Sequence, residues 1–479
     1  MSPFGSMSRS FRIVTLLAIA LSLSACDEMA GGAKLVQVVD PLDEHQALAR
    51  DIFRELVEIN TTDSVGDNTV ATEAVARRLL DAGFAEDDVE VLAPAPRKGN
   101  LVARLHGSDP DAEPLMLLAH LDVVEADVDA WERDPFDFIE EDGYFYGRGV
   151  SDDKDEAAIH VANLIRLKNA SYTPSRDIVL VLTADEEGGE YNGVQWLLEK
   201  HPEKMWAKYV LSEGGGGVLI GGQHVVNEVQ LAEKQYETLL IETDSKGGHS
   251  SMPSSENSIY ALLDAVGVLR NYEFPVTLNP VTREFFRRSS ELHSGPLRDA
   301  MEGILQEPPD PKSVEFLSEM PFYNASMRTT CVPTMIQGGH AENALPQRVT
   351  LTVNCRFLPT ESREDLRERL QSMFGDGATV RWKSSDDAPS SFTEAPDAMA
   401  VIERVSKTVW PNVPVVPIMG PGGTDGRFLR DIDITVLGVN GIFIDVEDDR
   451  AHAKNERLRV RSFYDGQEFL YRLTKALSE

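Results

Sequence analysis

Cysteine is nearly absent from this chain: three occur among 479 residues, at positions 26, 331 and 355. Neither Cys331 nor Cys355 sits in a Cys-x-x-Cys spacing, which argues against a thiolate metal site. Basic residues are scarce too, 46 against 79 acidic ones. The net charge of −33 argues against nucleic acid as a partner, because phosphates would be repelled. There is no internal repeat and no long low-complexity tract. The apolar run Ile13–Ala25 falls short of the ~20 residues that span a bilayer. The glycine run Gly214–Gly217 lacks the spacing of either nucleotide-binding signature, and no helix clearly follows it. It reads as backbone making room beside Glu213. A chain of 479 residues can still bury a large core in two or three domains.

The apolar run near the start has its own meaning. Arg9 and Arg12 precede it, as in a secretory signal. It ends in Leu23-Ser24-Ala25-Cys26, which resembles the bacterial lipoprotein signal, where the cysteine becomes the lipidated first residue. An ordinary cleaved signal with an incidental cysteine is the alternative. On the lipoprotein reading, 1–26 is the leader and 27–41 a linker. Acyl chains on Cys26 then tether the chain to a membrane its body does not enter, as a periplasmic or cell-envelope protein. Asp27 resembles the signal that retains some lipoproteins in the inner membrane. In an exported protein Cys331 and Cys355 could pair, subject to their Cα separation.

The most informative stretch is Ile178–Gly189, IVLVLTADEEGG. Six β-branched or leucine residues predict a buried parallel strand. The strand runs into Glu186-Glu187 and two glycines, and reactive groups collect at the carboxyl edge of such sheets. Two adjacent carboxylates there suit one metal ligand and one general base, or else a solvated acidic turn. Upstream, Leu115–Ala119 predicts a strand ending in His120-Leu121-Asp122. The imidazole can ligate a metal while Asp122, two residues on, orients the ring. Turn glycines then deliver Asp152 and Asp153 to the start of a helix, Lys154–Leu167. One of them can bridge two metals and either can cap the helix. A strand at Tyr209–Leu211 leads to Glu213. His120, Asp152, Glu187 and Glu213 thus recur at roughly the length of one βαβ unit. Carboxylate and imidazole donors without thiolate suit a catalytic zinc pair.

From about Gln235 the texture changes. Tyr236–Thr243 predicts a strand, followed by Lys246–Pro253 (KGGHSSMP) and a helix at about Asn257–Leu269. Asn343-Ala344-Leu345-Pro346 precedes a strand, Val349–Phe357. Leu351, Val353, Cys355 and Phe357 share its core face, so Cys355 reads as a small hydrophobe, while Thr352, Asn354 and Arg356 share the open face. There Arg356 can fork onto a carboxylate or form an edge salt bridge. A helix at Arg363–Met373, a further strand and the polar stretch Ser384–Ser391 complete a small α+β domain, with Pro275–Tyr323 partly helical. The α/β pattern returns near Ala395, carrying Pro421–Gly426 and then His452 among turn residues and carboxylates.

From about Leu42 to its end the chain resembles the co-catalytic zinc peptidase family of acetylornithine deacetylase, succinyl-diaminopimelate desuccinylase, aminoacylase-1 and carboxypeptidase S. The motifs fall in order: LLAHLDVV, GRGVSDDK, TADEEGG, SEGGG, KGGHSSMP, NALP, PGGTDGR and AHAKNE. The carboxypeptidase S-like members look most similar. The resemblance implies an α/β catalytic domain with a mixed, largely parallel sheet (42–234 and 393–479), interrupted by an α+β lid and dimerisation domain (235–392). It implies two Zn2+ ions, with Co2+ or Mn2+ as alternatives. Asp152 would bridge them, one ion adding His120 and Glu213 and the other Glu187 and His452. Glu186 would be the general base and Asp122 would support His120. His249 would polarise the scissile carbonyl, typically across a homodimer formed through the lid. Arg356 would bind a substrate carboxylate, assisted by Asn343 and by Gly422, Gly423 and Thr424. Some members carry Asp where this chain has Glu213. The expected substrates are small peptides or N-acyl amino acids. A dipeptidase or deacetylase of the same family is the second reading, and a tethered zinc- or peptide-binding lipoprotein the third. Glu186 argues against the third, since binding a metal requires no base.

Overall fold

Runs of Leu, Ile and Val form the centre of a ten-stranded sheet in the computed structural model, which describes residues 41–384 and 392–479. The leader, Cys26, the linker as far as residue 40 and positions 385–391 lie outside the described residues. Leu115–His120 lies between Ile178–Thr183 and Tyr209–Ser212, parallel to both, and Thr435–Gly438 runs parallel beside Tyr209–Ser212. Asn100–Leu105 joins the other side of Ile178–Thr183 antiparallel, with Leu101 opposite Leu182. The strand expected to be parallel therefore has one neighbour of each kind.

Both faces of these strands are covered, which is why they read as unbroken apolar runs rather than alternating ones. Leu115, Leu117 and Ala119 pack with Leu56, Ile159 and Leu470 from helices Glu44–Glu58, Lys154–Asn169 and Val460–Ser478. Met116 and Leu118 pack on the opposite face with Val194 and Leu197 of helix Gly193–Lys200. Each such aliphatic side chain contributes roughly 1.5–3 kcal/mol on burial. The strands form a stiff platform, and the carboxyl ends of the four parallel ones open towards one edge.

Only Lys234 separates the last strand of this passage, Gln223–Glu233, from Gln235–Asp244, which begins a second sheet. Its antiparallel order is Thr330–Gly338, Arg348–Phe357, Gln235–Asp244, Thr379–Trp382. Helices Ser258–Asn271 and Arg363–Phe374 cover one face through Leu262, Leu269, Leu366 and Leu370. The chain re-enters beside its exit: Thr393 N donates to Leu231 O at 2.7 Å and Phe392 bridges Ala232.

The helical stretch within this insertion packs elsewhere. Helices Pro280–Leu292, Pro296–Ile304, Pro311–Ser318 and Pro321–Met327 each start on a proline, whose missing N–H costs nothing in a first turn. Their apolar faces lie on Val218, Val226, Val416 and Ile418 of the large sheet. The segment 235–392 thus serves two packing partners, a small sheet of its own and the flank of the large one. Cys355 is more than a small hydrophobe. It lies directly opposite Cys331 in the register, Cα atoms 4.1 Å apart, and the two form a disulfide.

The glycine run makes room for strands, not for Glu213. A Cβ on Gly215 would fall 2.1 Å from Gly438 O and 2.6 Å from Glu228 O. The close neighbours are backbone atoms, which cannot move aside. Among the described residues no helix is long and apolar enough to cross a membrane.

Candidate metal centre

Three parallel strands end side by side, and the residue at or just past each end is an acid or an imidazole. His120 closes Leu115–His120, Glu186 and Glu187 follow Ile178–Thr183, and Glu213 follows Tyr209–Ser212. Asp152 arrives from the loop before helix Lys154–Asn169, after which the Asp152–Asp153 peptide is cis. His452 comes from the last loop in a left-handed conformation, φ 61°. His120 Nε2 lies 3.0 Å from Asp152 Oδ1 and 3.9 Å from Glu213 Oε2. His452 Nε2 lies 3.0 Å from Asp152 Oδ2 and 2.7 Å from Glu187 Oε1. Two ligand sets result, His120–Asp152–Glu213 and Asp152–Glu187–His452, with the ligand atoms of each within 4.8 Å of one another. Asp152 belongs to both.

Three observations fit this cluster to a pair of cations. His120 Nδ1 lies 3.0 Å from the main-chain oxygen of Asp122, which can only accept, so Nδ1 carries a proton and Nε2 is the nitrogen turned to the cluster. Glu213 Oε1 is buried with no hydrogen-bond partner among the described residues. The donors are all oxygen or imidazole nitrogen, the set that zinc and similar divalent ions accept.

The electrostatics agree. Burial would raise Asp152, but its hydrogen bonds to His120 and His452 outweigh that and hold it below the usual carboxylate range. Hydrogen bonds to Asp152 and Glu187 push His452 up to about 10. Burial, with Glu186 beside it, keeps Glu213 well above its ordinary value. Burial likewise pushes Glu186 up to about 8, partly offset by His120. A crowd of acids with two imidazoles draws in positive charge; protons on the imidazoles supply it, and divalent cations would displace them.

Asp122 acts differently from the sequence expectation. Its carboxylate stands 3.7 Å from His120 Nδ1 and instead accepts from the backbone N–H groups of Glu186, at 3.1 Å, and Glu187, at 2.9 Å. It holds the turn of the acidic pair, while its carbonyl orients the ring. Asp153 occupies the N-cap position without a side-chain capping bond; its Oδ2 accepts from His120 N at 3.3 Å.

The expected substrate residues divide into two groups. Arg356 reaches the loop after strand Val415–Gly420, donating to Pro421 O at 3.4 Å and stacking on Tyr236 with 4.5 Å to the ring centroid. Gly422 has open space around it. Thr424 does not offer its polar groups to that space: its N–H and hydroxyl donate to Glu233 Oε2 at 2.7 and 3.1 Å, so it anchors the loop. Gly423 lies against Arg427, whose Nη1 would be 2.8 Å from a Cβ there. Asn343 is not with Arg356 either. It neighbours His249, since Gly248–His249 pairs with Ala344–Leu345 and Ser250 N donates to Asn343 O at 3.0 Å. His249 is exposed, and among the described residues it makes no hydrogen bond or ion pair with the metal cluster. Ser251 N donates to His249 Nδ1 at 3.2 Å, which leaves Nε2 as the ring's donor.

Several supporting residues escaped the sequence reading. Asp425 is buried and accepts from Thr183 Oγ1 at 2.9 Å and Asn192 Nδ2 at 2.6 Å. Its motif was visible, but nothing distinguished it from a surface turn. Glu456 accepts from Ser151 N at 2.9 Å and pairs with Arg148, steadying the loop that carries Asp152. Lys98 reaches Asp185 across two strands, a contact only the register could reveal.

Comparison with known proteins agrees with this geometry. A model described as peptidase family M20/M25/M40 matches residues 116–476. The N-fatty-acyl-amino acid synthase/hydrolase PM20D1 of Xenopus tropicalis is 32% identical over 363 residues, covering 74% of this chain and 70% of that protein. The carboxypeptidase S-like 2 protein of Dictyostelium discoideum is 27% identical over 388 residues, 78% of this chain and 74% of the relative. Among solved structures, an M20 family metallo-carboxypeptidase, Sso-CP2 from Sulfolobus solfataricus, superimposes with a TM-score of 0.67 at 16% identity, covering 91% of this chain and 99% of that one.

Proposed function

The chain belongs to peptidase family M20/M25/M40 and is an amide-bond hydrolase of that family, and from that premise we propose that it cleaves an amide next to a free carboxylate. The substrates would be N-acyl amino acids or small peptides. The observation that carries this reading is the pair of ligand sets sharing Asp152, with Glu186 beside them and bound to neither.

His120, Asp152 and Glu213 would hold one cation and Asp152, Glu187 and His452 the other, zinc by donor chemistry, with cobalt or manganese as alternatives. Such a pair supplies an acidified water and charge to offset the developing oxyanion. The remaining work falls to the chain itself. Glu186 takes the proton of the attacking water on a carboxylate oxygen and passes it to the nitrogen of the leaving amine. Its neighbour Glu187 diverges towards the metal because consecutive side chains leave the turn in different directions. Arg356, on the open face of the lid, receives the substrate carboxylate beside Gly422. His249 donates a hydrogen bond from Nε2 to the scissile carbonyl oxygen.

The exposed position of His249 suggests that it serves the site of a second copy. Two features of the lid favour a homodimer. Edge strand Thr330–Gly338 exposes Val332, Met335 and Ile336. The adjoining helix exposes Ile259, Tyr260 and Leu263. Tethering through Cys26 in the cell envelope is part of the same proposal, and the Cys331–Cys355 disulfide suits an oxidising compartment. Loss of fatty-acid labelling in Cys26→Ser is the expected result; undiminished labelling would remove the anchor.

The test of the reaction is Glu186→Gln, which keeps size and shape but cannot accept the proton. It should lose ~10²–10⁴-fold in kcat while retaining two bound cations and substrate affinity. If the fully loaded variant stays active, the assignment of the base fails and a binding function returns.

A further inference from the structure

The register of two strands brings a cation to the residue just before the acidic pair. Asn100–Leu105 runs antiparallel to Ile178–Thr183 with Leu101 opposite Leu182. Continued outwards past the strand ends, that pairing sets Lys98 opposite Asp185. The ammonium of Lys98 donates to Asp185 Oδ1 at 2.6 Å and to Asp63 Oδ1 at 2.5 Å. Both partners in the first contact are deep: the Asp185 side chain is 1% exposed and that of Lys98 11%. Burial disfavours the ammonium, but the hydrogen bonds to Asp185 and Asp63 outweigh it and keep Lys98 charged.

Asp185 shapes the loop that follows. Its own φ is +61°, the left-handed region that Asp tolerates better than most residues. Its other carboxylate oxygen, Oδ2, accepts from Tyr191 N at 3.1 Å, and its carbonyl accepts from Asn192 Nδ2 at 3.3 Å. The carboxylate therefore sits inside the loop it closes. Gly189 leaves space for it, since a Cβ there would lie 2.2 Å from Asp185 Oδ2. Glu186 and Glu187 are the next two residues, so their directions depend on this turn. Asp122 holds their N–H groups from one side. Lys98 and Asp185 hold the turn from the other.

We propose that Lys98 is a positioning residue for the hydrolysis: paired with Asp185, it holds the left-handed turn that aims Glu186 at the water and Glu187 at its metal ion. This rests on the roles given above to Glu186 and Glu187. Without Lys98 the buried Asp185 carboxylate keeps no ion-pair partner among the described residues; turning outwards to reach water, it would release the Tyr191 N–H and the turn with it. Among the described residues Lys98 Nζ bonds to Asp63 and Asp185 and to none of the candidate ligands, so its influence on them passes through the turn.

The experiment compares the full-length protein with Lys98→Met and Lys98→Arg, using calorimetric titration with Zn2+ and steady-state hydrolysis of an N-acyl amino acid at saturating metal. His452→Ala identifies which binding step belongs to the Glu187 side. Lys98→Met should weaken that step and lower kcat by ~10- to 100-fold, the range typical of residues behind a metal ligand. KM and the His120–Glu213 step should move by less than about threefold. Lys98→Arg can still span both carboxylates and should recover most of the loss. Wild-type kcat and Zn2+ affinity in folded Lys98→Met would overturn the proposal, and so would an equal loss at both steps, which marks general destabilisation. If Lys98→Met does not fold, Asp185→Asn takes its place: it keeps the left-handed turn and an acceptor for Tyr191 while losing the ion pair, and the same losses are expected of it. Should the wild type bind Zn2+ but hydrolyse nothing, the reaction fails as a reading, and the metal titration still decides the role of Lys98.

Discussion

Replacing Asp122 by Asn separates two ways in which this carboxylate could serve the site. One oxygen accepts from Glu186 N at 3.1 Å and the other from Glu187 N at 2.9 Å. An Asn side chain keeps one acceptor and presents an NH2 group where the other stood. One backbone N–H of the turn is then left facing a donor, inside a site from which water is largely excluded. Stranding a buried donor costs ~1–3 kcal/mol, or roughly 5- to 150-fold in any equilibrium that requires the turn to be formed. The loss should therefore fall on the cation held by Glu187 and His452, and on kcat through Glu186. The His120 side should be spared, because its ring is oriented by the main-chain oxygen of Asp122 at 3.0 Å, which Asn retains. Stepwise Zn2+ titration by calorimetry measures both affinities, with Glu213→Gln and His452→Ala identifying the steps. A larger loss on the His120–Glu213 side would show that the carboxylate governs the imidazole across 3.7 Å. That result would refute the reasoning.

Arg356→Lys should raise KM with little change in kcat, because a point charge replaces a planar fork; amidating the substrate carboxylate should then cost the wild type much and the variant little, and equal costs would remove Arg356 from the role. Mixing His249→Ala with Glu187→Ala subunits should restore about one working site per mixed dimer if the imidazole acts across the lid, whereas inactive heterodimers of proven composition would place His249 in its own site or in none. Glu228 offers a test of pH. Burial alone pushes it from 4.5 to about 7, so the native state prefers the neutral acid and the unfolded chain ionises first. Its contribution is favourable below pH 4.5, falls as pH rises towards about 7, and by pH 8 has cost about 3 kcal/mol. Glu228→Gln should match the wild type in urea unfolding at about pH 4 and exceed it at about pH 8; the same difference at both pH values would show that Glu228 does not titrate as stated.

Much of the candidate site was legible because the residues it gathers come from repeated local patterns. His120, Glu187 and Glu213 each follow an apolar run, and a strand that is apolar throughout must be covered on both faces. Its carboxyl end is then where polar groups can emerge. The stretch Pro275–Tyr323 read as partly helical, and the structure places four helices between 280 and 327, each opening on a proline. What these patterns lack is direction. Asp122 was placed beside His120 on the two-residue period of a strand, yet the strand ends at His120, and past its end the carboxylate turns to the Glu186–Glu187 backbone instead.

By itself, then, the sequence determined the order of elements and the acids and imidazoles that collect at the strand ends, because each depends on near neighbours and residue type. Tertiary structure decided which distant groups meet. Thr424 anchors to Glu233 across 191 positions, and Arg148 pairs with Glu456 across 308. Cys355 bonds to Cys331 because they fall opposite each other in an antiparallel register. The helices of 280–327 lie on the large sheet because its flank, with Val218, Val226, Val416 and Ile418, offers the apolar surface they bury. Lys98 finds Asp185 for the same reason that Leu101 finds Leu182: strand register is set by the packing of whole faces, and no residue carries it alone.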